Sequence, residues 1–361
     1  MNHKNVLVRA WELLWQYRAL WIFGMILALT SGANYNQSNF QFNSHDFNDP
    51  AQTFNFRSEE EFGTWLREQK QAAVEEFGRL RRGEGLSQWE QTLFNLATTI
   101  VCVILVLALV GKVFNYVSET ALIKMVNAVE EHDQKYTVRQ GFALGWSKES
   151  WRLFLIDLVI FVPAFVIMLF GLALAAWPFF TNVSGSKERT IIALVSSIGL
   201  FFLVIFLGVV VAAVIRLLKQ FMRRAVVLDG AGVLEAIRDG SRFAWQHVKD
   251  IGIMWLLVFG INIAWAVVLF PVVALLFAIS AAGGGLMALV TYTLSSGSVP
   301  LVTILGGGLF LLLMAIPMVI LGGLMAAYLS SAWTLTYREL QALDALDREQ
   351  LDPGEGLADP A

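Results

Sequence analysis

The stretch IGIMWLLVFGINIAWAVVLFPVVALLFAISAAGGGLMALVTYTLSSGSVPLVTILGGGLFLLLMAIPMVILGGLMAAYLSSAWTLTY, residues 251–337, decides the fold, because its 87 residues include no Asp, Glu, Lys or Arg. A helix rising about 1.5 Å per residue needs about 20 apolar residues to cross about 30 Å of hydrocarbon. The stretch is therefore long enough for two crossings and a connection. The connection lies at Ala281 to Pro300, where Ala-Ala-Gly-Gly-Gly and Ser-Ser-Gly-Ser-Val-Pro interrupt two long apolar arms, Ile251 to Ser280 and Leu301 to Ser330. The piece between them, Leu286 to Leu294, is too short to cross and reads as an interfacial or re-entrant helix.

The same criterion applied outward finds more crossings. Thr92 to Gly111, Leu158 to Phe180 and Thr190 to Ile215 are free of charge, and each is closed by Lys, Arg or a turn. The uncharged N-terminal core, Ala19 to Ala33, follows Lys4, Arg9 and Arg18. That basic start and the small residues Ser31-Gly32-Ala33 also fit a cleaved signal peptide. Trp11, Trp15 and Trp21 give the segment an aromatic interfacial portion, which favours a retained span. The expected fold is all-α: a polytopic transmembrane helix bundle of six spans, about 12–33, 92–115, 153–180, 190–215, 251–280 and 301–330. These form a single integral membrane domain, 1–342, with an extracytoplasmic insertion at 34–91 and a mobile cytoplasmic tail at 343–361.

Composition and charge agree with this plan. Of 361 residues, 57% are hydrophobic and 15% charged, against about 25% charged in an ordinary soluble domain. With six spans and both termini in the cytoplasm, inside segments carry 18 of the 26 Lys and Arg, as the positive-inside bias requires of short loops. A net charge of −3 without clustered phosphate-binding cations excludes nucleic acid as a partner. In the insertion, Asn34 to Phe56 is rich in Asn and Phe and reads as irregular. Ser58-Glu59-Glu60-Glu61 then forms a capping box, and Phe62, Trp65, Leu66, Ala73, Phe77 and Leu80 share one face of an amphipathic helix.

Three segments align without gaps on Trp15, Trp146 and Trp245. Each begins with a small residue, Ala10, Gly141 or Gly240, and eight positions before each Trp stands Leu7, Val138 or Ile237. Tyr116-Val117-Ser118 and Tyr328-Leu329-Ser330 close the second spans of two copies alike. We read three repeated units, each an interfacial helix followed by a helical hairpin. Trp suits the interfacial position, since its ring is apolar while its N–H seeks the headgroup level.

Arg224-Ala225-Val226-Val227-Leu228-Asp229-Gly230, Val233-Leu234-Glu235-Ala236-Ile237-Arg238-Asp239-Gly240 with Trp245, and Ser331-Ala332-Trp333-Thr334-Leu335-Thr336-Tyr337-Arg338 carry a family resemblance. The chain resembles uncharacterised bacterial multi-pass membrane proteins, similar to the membrane domain found ahead of some glycerophosphoryl diester phosphodiesterases. The resemblance implies a bacterial plasma (inner) membrane. It carries no phosphodiesterase activity, because the catalytic barrel needs about 250 residues of alternating strand and helix.

The candidate functional residues are few. Trp11, Trp15, Trp146 and Trp245 are the interfacial anchors. A charge at the bilayer centre costs about 2.5–3.5 kcal/mol on insertion scales, which singles out Asp157, read as a shallow ion pair. Asn262 is the mid-span polar group, suited to a hydrogen bond between helices. Arg216, Lys219, Arg223 and Arg224 form a basic cytoplasmic cluster beside a span end, readable as a topology signal or as a seat for anionic headgroups. No catalytic constellation is present: His3, His45, His132 and His247 are scattered, and the lone Cys102 supports neither a disulfide nor a thiolate metal site. His45-Asp46 with Asp49 reads as solvated loop, and the glycine triplets 283–285 and 306–308 lack the Lys and Ser or Thr of a phosphate loop. No cofactor or metal is expected.

The function that follows is a non-enzymatic integral membrane protein that binds membrane lipid or a partner protein, a second copy included, at its cytoplasmic face. The alternative is a small-molecule or ion transporter, suggested by the hairpins and by Pro163, Pro271 and Pro317 within spans. Transport requires Asp157 and Asn262 to face one cavity.

Overall fold

A computed structural model describes residues 1–31, 88–182, 187–294 and 299–351. Two compact units are distinguished, Met1–Ser38 with Lys112–Ala361, and Asn39–Gly111. The second is described only at 88–111, which is helical. The irregular segment, capping box and amphipathic helix expected between Asn34 and Leu80, with His45, lie outside the described residues.

Every element among the described residues is helical. In chain order they are α1 (His3–Gln16), α2 (Ala19–Ser31), α3 (Gln88–His132), α4 (Val138–Gly145), α5 (Lys148–Asn182), α6 (Lys187–Leu228), α7 (Val233–Gln246), α8 (Val248–Leu294), α9 (Val299–Val302), a π-turn at Thr303–Gly307, and α10 (Gly308–Leu351). Among the described residues, five stretches are long and apolar enough to cross a membrane: Thr98–His132, Lys148–Pro178, Ile192–Leu228, Val248–Leu294 and Thr303–Leu346. A sixth arises if α1 and α2, bent by 102° where they meet, count as one broken span.

Four helix ends differ from the sequence reading. Helices do not stop where charge begins: α3 runs past Lys112 to His132, α6 past Arg216 to Leu228, and α10 past Arg338 to Leu351, into the expected tail. A helix satisfies its own backbone groups in oil or water, so a change of solvent alone does not end it. The separate short helix expected at Leu286–Leu294 is instead the last part of α8, which continues through Gly283, Gly284 and Gly285. There the missing side chains admit the π-turn: a Cβ on Gly284 would lie 2.8 Å from the Gly306 carbonyl oxygen, and one on Gly306 would lie 2.7 Å from the Ala288 Cβ.

The first unit's core is gathered at one end of the long helices, beside the charged segments. Leu13, Leu20, Phe23, Leu122, Met125, Leu153, Phe221, Met254 and Trp333 are buried there. Trp333 meets Phe221 edge to face with centroids 5.8 Å apart, a favoured aromatic geometry. Away from this charged end the same helices show bare apolar side chains, among them Leu109, Ile167, Phe202 and Phe270, the last 77% exposed.

α2 and α10 touch backbone to backbone. A Cβ on Gly24 would collide with the Gly323 carbonyl oxygen, and one on Gly323 would lie 2.6 Å from the Met25 Cα. Small residues replace the bulk that would hold two helices apart. Ala326 and Ala327 extend this contact and are fully buried.

Candidate functional site

Three short helices line the charged end, each with one face packed and one face open. On α1, Val6, Ala10, Leu13 and Leu14 are buried while Trp11 and Trp15 stand outward. Trp15 also meets Trp21 edge to face at 5.3 Å, and the Trp21 indole donates to the Leu14 carbonyl at 2.6 Å, which pins the bend into α2. On α4, opened by a Thr137–Gln140 capping box, Gly141 and Gly145 are buried against α3: a Cβ on Gly141 would lie 2.7 Å from the Met125 sulfur. On α7, Ala236, Gly240 and Ala244 recur every four residues and are buried, with a Cβ on Gly240 lying 2.8 Å from the Met222 Cα. Trp146 follows α4 and Trp245 ends α7; they are 68% and 62% exposed.

Several charges of this end pair with one another. Asp157 on α5 accepts from Lys219 at 2.8 Å, from Arg223 at 2.8 and 3.0 Å, and from the Tyr116 hydroxyl at 2.9 Å. Arg223 also donates to Glu119 on α3 at 2.6 Å, and that carboxylate side chain is only 2% exposed. Two acids and two bases thus bind α3, α5 and α6 into a neutral knot. The sequence-predicted basic cluster is not one surface. Lys219 and Arg223 belong to this knot, Arg224 is buried and donates to Gln220 and to the Ser330 carbonyl, and Arg216 is exposed. Arg152 turns away from Asp157 to the carbonyls of Gly230 and Ala231.

Other ties join the same end. Arg9 meets Glu130 at 2.8 Å, Lys124 meets Glu149 at 3.1 Å, and the Tyr337 hydroxyl donates to Asp229 at 2.5 Å. His3 faces Asp250 and His247 faces Asp344. Glu119 was not singled out from sequence, and Tyr116 and Asp229 entered that reading only through the repeat and the family resemblance. The signal for Glu119 was there in outline: a lone acid one helical turn beyond the apolar part of α3, on a chain with cations to spare on α6.

Asn262 and Asp157 do not meet. The Asn262 amide donates to the Val258 carbonyl of its own helix at 2.8 Å, while Asp157 is occupied by α6. Among the described residues, no group of three or more His, Cys, Asp and Glu is placed to hold a metal ion. The hydroxyls of Ser118 on α3 and Ser330 on α10 are buried and have no hydrogen-bond partner among the described residues. An unpaired buried polar group costs about 1–3 kcal/mol. Ser330→Ala is therefore expected to leave the fold intact and to stabilise it by about 1 kcal/mol in micellar unfolding; a loss of stability would show that the hydroxyl has a partner.

Between α1, α8 and α10 lies an open groove of about 310 Å³. Trp11, Trp15, Ile261, Trp265, Leu324 and Tyr328 are among its walls, and its lining is almost wholly apolar. Trp11 stands edge-on to Trp15 at 5.7 Å and to Tyr328 at 6.0 Å. An aromatic-walled slot without charged groups can hold hydrocarbon.

Comparison with known proteins adds one match. A family model described as a family of unknown function, DUF7544, matches residues 9–347. No curated protein and no solved structure matches the chain.

Proposed function

The chain belongs to the DUF7544 family, and we propose that it is a non-catalytic integral membrane protein of six spans that engages membrane lipid through its interfacial helices. In this reading both termini lie in the cytoplasm, the membrane is a bacterial plasma membrane, and α1, α4 and α7 open three copies of one unit. The observation that carries it is the matching placement of Trp15, Trp146 and Trp245. Each is at least half exposed at the end of a short helix, and the aligned small residues Ala10, Gly141 and Gly240 are all buried on the packed side. Leu7, Val138 and Ile237, the other aligned positions, are half-buried against the core. A helix packed by its small residues presents its Trp side to whatever lies outside, and beside bare apolar spans that is the headgroup layer.

The transport alternative receives less support. It needs a polar route through the spans, yet Asp157 is locked in a neutral knot and the groove beside Asn262's helix is apolar.

The test is quenching of tryptophan emission in vesicles of brominated phosphatidylcholine, comparing wild type with Trp146→Phe and Trp245→Phe. Each variant is expected to lose emission that bromines near the headgroup quench more strongly than bromines near the chain end. If the lost emission is instead reached only by a water-soluble quencher, the interfacial reading is wrong.

A further inference from the structure

We infer that the groove between α1, α8 and α10 holds one acyl chain of a bilayer phospholipid, an inference that rests on the membrane reading above. Its size admits the occupant: the groove offers about 310 Å³. A single hydrocarbon chain is slender enough to enter, and the volume sits at the small end of the range of about 300–1,000 Å³ seen for ligand pockets.

The walls select it. They come from α8 and α10, which are apolar enough to cross a membrane, and from α1, whose Trp pair lies at the rim. The groove is therefore continuous with the surface that lipid covers, while Trp11 and Trp15, 46% and 50% exposed, stand where a chain would pass between them and Trp265. Asn262, next to the lining residue Ile261, is not itself among the groove's walls: its amide N–H is donated to the Val258 carbonyl of its own helix, and its side-chain oxygen is buried. A chain seated here would couple α1 to the spans through lipid as well as through protein contacts.

The experiment uses the full chain in vesicles of phosphatidylcholine and phosphatidylglycerol doped with a phosphatidylcholine carrying a diazirine midway along one acyl chain. After illumination, labelled peptides are identified by mass spectrometry. Labelling is expected at α1 and at the parts of α8 and α10 around Ile261 and Leu324, well above that on the open face of α6 at Phe202 and Phe206. Val8→Trp fills the rim from an exposed position and is expected to cut groove labelling at least fivefold while leaving α6 labelling unchanged. Leu324→Trp fills it from the opposite wall and should do the same, whereas Leu324→Ala widens the groove and should retain the label. Groove labelling equal to that of α6, labelling insensitive to both Trp variants, or a groove cross-linked to a peptide would overturn the inference while leaving the membrane reading standing. Absence of label on α6 would overturn the membrane reading and the inference together.

Discussion

Arg223→Leu is expected to cost about 3–5 kcal/mol of stability, the usual effect of breaking a buried ion pair from one side. Arg223 is the hub of the knot, donating to Glu119 on α3 and to Asp157 on α5. Its loss leaves the Glu119 carboxylate, 2% exposed, without its cation, whereas Asp157 keeps Lys219 at 2.8 Å. Most of the penalty should therefore come from Glu119. A paired replacement tests this: Glu119→Leu with Arg223→Leu should lose less than Arg223→Leu alone, because no uncompensated charge stays buried. Midpoints of denaturation in mixed micelles give the comparison. A double variant at least as unstable as the single one would mean that the hub acts through packing.

Gly323→Leu should be comparably damaging. Overpacking costs about 1–3 kcal/mol where neighbours can shift, and more where they cannot. Here the obstacle is backbone: the first added carbon would already lie 2.6 Å from the Met25 Cα. We expect a loss above about 3 kcal/mol, with α2 released from α10 and cysteines placed at Ala28 and Gly322 no longer cross-linking. Gly252→Ala is the control, since nothing lies within 4 Å of that added carbon and alanine favours a helix interior by about 1 kcal/mol. Equal damage from both would refute the close-contact account.

Much of this architecture could be read in the chain. An uninterrupted apolar run must be helical in hydrocarbon, so residues 251–337 announced their helices without help from the rest of the molecule. Helix ends were less legible. Lys112 and Arg216 look like exits to water, yet α3 and α6 continue past them, because a helix satisfies its own backbone groups in either solvent. The same blindness affects Arg216, Lys219, Arg223 and Arg224. Adjacent in sequence, they resemble a patch, and only packing brings Glu119 and Asp157 to two of them. The groove could not be read at all, because Trp11, Ile261 and Leu324 come from three distant segments and each alone is an ordinary apolar residue.

The contact of Gly24 with Gly323 also sets a timetable. The two glycines are separated by 299 residues, and a ribosome adding about 5–20 residues per second needs about 15–60 s to make that interval. Throughout it α2 lacks the α10 face against which Gly24 packs. A nascent chain released early, before its final helix emerges, carries an unclosed seam that membrane proteases can recognise. Stop codons placed before the final helix, at residue 308, and after it, at residue 352, should therefore give products of sharply different half-life.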